Sequence, residues 1–84
     1  MTVWKYTLHL ISKQFIDIPK GAKPVHFATQ GNHICLWAEV DPNAEKEQRE
    51  IDCFGTGFDI PDGYSKSHLG TVVLPNQTVW HYYW

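Results

Sequence analysis

The strongest constraint on the fold is the dipeptide Gly31-Asn32, which stands between two segments of alternating apolar and polar residues, Val25 to Gln30 and His33 to Val40. A two-residue Gly-Asn loop of this kind closes an antiparallel hairpin, and its length fixes the register of everything on either side. With Gln30 and His33 flanking the loop, Thr29 faces Ile34, Phe27 faces Leu36 and Val25 faces Ala38, giving one apolar face directed at a core. By parity the opposite face pairs Gln30 with His33, Ala28 with Cys35 and His26 with Trp37.

The rest of the chain follows the same period of two. Trp4, Tyr6, Leu8 and Leu10 share one face of a strand from Val3 to Ile11, with Lys5, Thr7 and His9 on the other. Gln14 to Ile18 reads as a second strand before the turn Pro19-Lys20-Gly21, and these two strands are expected to form a hairpin. After Asp41-Pro42-Asn43, the stretch Ala44 to Gln48 has helix-forming composition but length for about one or two turns only, so a turn of helical character is expected. Arg49 to Phe54 alternates again, with Arg49, Ile51 and Cys53 on one side and Glu50, Asp52 and Phe54 on the other, the buried side being ambiguous. A long loop then runs from Gly55-Thr56-Gly57 to about Lys66, a length that suits a functional segment. Strands at His68 to Leu74 and Thr78 to Tyr83 complete a mostly-β chain of about six to seven short strands, expected to form a small antiparallel β-sandwich or barrel.

With 84 residues, the chain is expected to be one β-rich domain over residues 1–84, with a modest core and a tendency to self-associate as a homodimer or homotetramer. The last strand supports self-association, because Val79-Trp80-His81-Tyr82-Tyr83-Trp84 is aromatic on both faces and something must cover the second. A net charge of -2 and a pI near 6.2 provide no basic field, which argues against DNA or RNA as partners. No apolar run approaches the roughly 20 residues that span a bilayer. Cys35 and Cys53 lack C-x-x-C spacing, and the N-terminus has neither a basic region nor a long apolar run, so reduced thiols and a cytoplasmic location are expected.

The same residues argue against chemistry and for binding. His9, His26, His33, His68 and His81 are not spaced as a metal site, no activated nucleophile or elbow motif surrounds Cys35 or Cys53, and neither an enzyme nor a cofactor is expected. Gly55-Thr56-Gly57 lacks the lysine of a P-loop, yet its glycines permit close approach and its backbone N–H groups and hydroxyl suit a phosphate; the alternative is a tight turn or bulge. Lys5 and Arg49, the only arginine, suit phosphates, and an outward Trp37 suits stacking on a base.

Taken together, Trp4-Lys5-Tyr6, Ile18-Pro19-Lys20-Gly21-Ala22, Gln30, Leu36-Trp37-Ala38-Glu39-Val40-Asp41-Pro42, Arg49, Gly55-Thr56-Gly57, Leu69-Gly70-Thr71 and Val79-Trp80-His81 resemble a set of short phage proteins of a domain-of-unknown-function family. The likeness runs nearly end to end, with the tail Tyr82-Tyr83-Trp84 more aromatic than the family leads one to expect. That family is in turn similar to phage anti-CBASS sponges, small oligomeric proteins that hold cyclic dinucleotides away from host defence effectors. The resemblance implies an immune-evasion protein of the host bacterial cytoplasm that sequesters a signal such as cyclic GMP-AMP without cleaving it. Joined to the residue chemistry, it gives a candidate site of Lys5, Gln30, Trp37, Arg49, Gly55, Thr56, Gly57 and His81, with a pocket between subunits. The rival reading is a phage protein-interaction module that docks on and inhibits a host factor through exposed aromatics and a sheet edge.

Overall fold

The computed structural model describes residues 1–84, which form seven strands and no helix. They are β1 (Thr2–Leu8), β2 (Lys13–Pro19), β3 (Lys23–Gln30), β4 (His33–Val40), β5 (Lys46–Gly55), β6 (His68–Val73) and β7 (Val79–Tyr83). A three-stranded sheet, ordered β1-β4-β3, lies against a four-stranded sheet, ordered β2-β5-β7-β6, and neither closes into a barrel. All pairings are antiparallel. One apolar cluster joins Leu8, Ile34, Leu36, Ala38 and Val40 of the first sheet to Ile18, Ile51, Cys53, Val72, Tyr82 and Trp84 of the second.

The Gly31-Asn32 hairpin has the expected register, with Gln30 opposite His33, Phe27 opposite Leu36 and His26 opposite Trp37. Gly31 occupies a positive φ of 60°, a conformation that favours glycine. The register breaks between Pro24 and His26, so Pro24 rather than Val25 faces Ala38 and Val25 turns to solvent. A proline without an N–H is tolerated on an edge strand beside such an irregularity.

The expected hairpin of the first two strands does not form. β1 pairs with β4 and β2 with β5, so residues 9–12 carry the chain from one sheet to the other. Three side chains or amides hold that crossing. Gln14 accepts from His9 N at 3.0 Å and donates to His9 O at 2.8 Å, the Tyr82 hydroxyl donates to His9 O at 2.9 Å, and Cys53 N donates to Ser12 O at 3.0 Å. Leu10 and Ile11 lie outside this corner and are exposed rather than core residues. The helical turn expected at Ala44 to Gln48 is also absent: β5 begins at Lys46, with Glu47 opposite Ile18 and Gln48 opposite Asp17. A helix this short cannot compete with a ladder that continues for seven residue pairs.

β5 directs Ile51 and Cys53 into the core, which resolves its ambiguous face and places Arg49 on the inward row. β7 directs Tyr82 inward against Phe27, with ring centroids 5.2 Å apart, while His81 and Tyr83 occupy its outer face. Phe27 also lies over Gly70, where an added Cβ would overlap its ring. Gly70→Ala is expected to cost about 1–3 kcal/mol through overpacking and Phe27→Ala about 3–5 kcal/mol through cavity formation. Urea unfolding should show the double variant losing less than the sum, because removing the ring removes the clash.

Candidate functional site

The sequence-designated residues fall into three places. Lys5, Gln30 and Trp37 come together on the outer face of the three-stranded sheet. Lys5 and His26 flank Trp37 in the ladder, the His26 and Trp37 rings stand 5.4 Å apart, and Lys5 Nζ donates to Gln30 Oε1 at 2.9 Å. That bond passes diagonally over the row Thr7-Cys35-Ala28, which accounts for a cysteine on an outer face that is only 1% exposed. Lys23 and His33 occupy the same face, with Glu39 as its one acid. The surface therefore combines an aromatic plane, an amide and two ammonium groups, the elements needed to stack a base and meet a phosphate.

Thr56 and His81 meet on the opposite side of the molecule, on the outer face of the four-stranded sheet. Thr56 Oγ1 is 2.7 Å from His81 Nε2, His81 Nδ1 is 2.9 Å from Thr71 Oγ1, and Thr71 Oγ1 is 3.0 Å from His68 Nε2. Both imidazole nitrogens of His81 are thus occupied by hydroxyls. Gly55-Thr56-Gly57 forms a tight turn: Phe58 N donates to Gly55 O at 3.0 Å, Thr56 N donates to Val79 O at 3.1 Å, and Gly57 takes a φ of 89°. The glycine at position 57 serves that positive φ. Gly55 faces inward, where a Cβ would press on Phe58 and Trp80 at 3.0 Å. Two of the turn's amides are spent within the chain.

Arg49 belongs to neither group. Its guanidinium lies over the Trp84 ring, 4.6 Å from the centroid, and no ion pair includes it. Of its acidic neighbours, Glu50 and Asp52 are engaged with Lys13 and Lys66, and Glu45 with Lys20. The parity of β5 turns Arg49 inward while Lys5 faces outward on the other sheet, so the two do not meet within one copy of the chain.

The outer face of the four-stranded sheet carries a network that the sequence did not single out. Asp52 is 5% exposed; it accepts from the Tyr64 hydroxyl at 2.5 Å and pairs with Lys66 at 2.9 Å and Lys13 at 3.3 Å. Glu50 pairs with the same two lysines at 2.6 and 3.0 Å. This network pins the loop after Gly55 onto the sheet, where Tyr64 packs edge-on against Phe54 and Tyr83 at 5.5 and 5.6 Å. The second aromatic face of β7 is thus covered by the chain's own loop, a contact between distant residues that no local pattern reports. Between this loop, the 9–12 corner and Trp80 opens a cleft of about 730 Å³, walled by Leu10, Ile11, Phe54, Phe58 and Trp80.

Burial opposes ionisation of Asp52, but the Tyr64 hydroxyl and the two lysines outweigh it and hold the carboxyl below its ordinary value. Hydrogen bonds from Lys66 and Lys13 lower Glu50 likewise. Burial pushes the Cys53 thiol up, and both cysteines are free and buried. The His68 and His81 ring centroids lie 6.4 Å apart, and no three His, Cys, Asp or Glu side chains are grouped to hold a metal. No helix is long and apolar enough to cross a membrane.

Compared with known families, residues 1–84 match the model of the Domain of unknown function (DUF7352), and the chain belongs to that family. No curated protein and no solved structure matches it.

Two outcomes follow. Arg49→Ala should lower stability by about 1 kcal/mol, within the range of a cation–π contact, as read by urea unfolding. Carboxyls held low in the folded state stabilise it above the unfolded carboxylate range near pH 4, and that contribution is lost as pH falls through their folded values. The urea midpoint should therefore be flat from about pH 7 to 5 and drop below about pH 4, with Asp52→Asn less stable at neutral pH and showing a shallower acid decline.

Proposed function

We propose that this member of the family is a non-enzymatic binding protein that takes a cyclic oligonucleotide on the outer face of the three-stranded sheet. The observation that carries the reading is the convergence of Lys5, Gln30 and Trp37 beside His26 on one solvent-facing surface. Trp37 offers a stacking plane, Lys5 meets a phosphate, and the Gln30 amide supplies a donor and an acceptor for a base edge. When the nucleotide binds, Lys5 exchanges its bond to Gln30 for a charge-assisted one to phosphate, which frees the Gln30 oxygen.

The association of the resembled short phage proteins with phage anti-CBASS sponges supports a biological role of the same kind. In that role an oligomer of the chain holds a signal such as cyclic GMP-AMP in the infected host's cytoplasm and denies it to defence effectors. Arg49 and the Gly55-Thr56-Gly57 turn take no part in this version of the site. A second reading, docking on a host protein, is favoured by the apolar cleft, whose rim exposes Leu10, Ile11 and Phe58. Its acidic lining residues, Asp52 and Asp59, make it a poor place for a phosphate.

Calorimetric titration with cyclic GMP-AMP separates these readings. Saturable binding is expected, with intact nucleotide recovered after heating. Trp37→Ala should weaken affinity by about 1–3 kcal/mol, the scale of one base stack, and Lys5→Ala should flatten its salt dependence. Wild type that leaves the nucleotide free in solution overturns the nucleotide reading.

A further inference from the structure

The four sheet edges of this molecule are not equivalent. β3 carries Pro24 and a register break, β6 has six residues with a break between His68 and Gly70, and β1 presents Lys5 with no acid on the strand. Proline, irregular register and an unmatched lysine are the devices by which edges avoid pairing. β2 is regular over its seven residues against β5, its one proline is its last residue, Pro19, and ahead of it the outer row reads Lys13, Phe15, Asp17. Phe15 is 57% exposed and sits at the centre of that row.

We propose that β2 is a self-association edge, where two copies pair antiparallel about a two-fold axis through Phe15. In that register residue 13 of one copy stands opposite residue 17 of the other, so Lys13 meets the second copy's Asp17 twice, and the two exposed Phe15 rings meet on the axis. A row of opposite charges flanking an aromatic is self-complementary under two-fold symmetry, the requirement for a closed dimer. Shifting the axis to Ile16 places Pro19 opposite Lys13 and Asp17 opposite Phe15, and shifting it to Gln14 places Lys13 opposite Phe15; both lose the charge match. The ions have capacity to spare. Lys13 Nζ contacts Glu50 and Asp52, leaving its third N–H, and Asp17 accepts only from Gln48 Nε2 at 2.7 Å, leaving its second oxygen. On the inner row Ile16 faces the partner's Gln14, whose amide is already held by the His9 backbone. Pairing joins the two four-stranded sheets into one continuous sheet and leaves the Lys5, Gln30 and Trp37 surface open. The inference holds whether or not a nucleotide binds there.

Charge variants test it. Wild type should sediment with twice the 9.7 kDa chain mass. Asp17→Lys opposes Lys13 to a lysine at both ends of the pairing, and Lys13→Glu opposes Asp17 to a glutamate; each alone should weaken dimerisation at least tenfold. Mixed in equal amounts, the two variants regain both opposite-charge pairs, and a heterodimer should form. Lys13→Glu also loses bonds to Glu50 and Asp52, so Phe15→Cys provides a check that leaves Lys13 intact: directly opposite strand residues lie within disulfide reach, and mild oxidation should give a covalent dimer. A wild type that stays monomeric overturns the proposal. So does a dimer indifferent to Asp17→Lys, or Phe15→Cys that remains uncrosslinked.

Discussion

The contact on which the two-sheet arrangement depends is the one between Phe27 and the bare backbone of Gly70. Phe27 reaches inward from β3, and the missing side chain at Gly70 lets its ring settle onto β6 and against Tyr82. This brings the edge of the three-stranded sheet down over the edge of the four-stranded one. From there the inward rows of β4, β5 and β7 meet in register, with Leu36, Ile51 and Tyr82 fully enclosed. A molecule this small has one core to spend its apolar residues on, so the angle set at this edge decides which surfaces stay outside.

The surfaces left outside have different characters. The four-stranded sheet is covered by the loop that Asp52, Tyr64 and Lys66 fasten, and its histidine and threonine side chains satisfy one another. The three-stranded sheet has no such cover. Its outer row keeps Trp37, Lys5 and His26 facing solvent, supported from below by a central strand whose every second residue is buried core. A rigid ladder with exposed recognition groups is a natural platform for a ligand, because the groups are held in place before it arrives. The free edge of β2 lies on the other sheet, so the self-association and the ligand capture that we propose would use separate surfaces.

Much of this was legible in the sequence. The Gly31-Asn32 turn fixed a hairpin register through His26, and the period-two patterns located all seven strands, because both signals are local. What failed depended on distant pairing. The chain's crossing between sheets rests on Gln14, which bonds the His9 backbone, and on Tyr82, 73 residues away, which donates to the same carbonyl. Lys46 to Gln48 became strand because Asp17 to Pro19 lay alongside. The position of Arg49 was not legible for the same reason, since which face of β5 is inward depends on packing with β7 and Trp84. In the candidate site, the outward parity of Trp37 and Lys5 was readable strand by strand. Their union with Gln30, and their separation from Thr56 and His81, followed from the strand order alone.

The central claim is that the uncovered face of the three-stranded sheet is where a nucleotide is held. Titrating isotope-labelled protein with cyclic GMP-AMP and following amide and indole signals by NMR tests this residue by residue. The account predicts saturable shifts at the Trp37 indole and at the amides of Lys5, His26 and Gln30, with the Phe54, Phe58 and Trp80 signals unmoved. Shifts confined to the Phe54, Phe58 and Trp80 cleft, or an unchanged spectrum at saturating nucleotide, would contradict it.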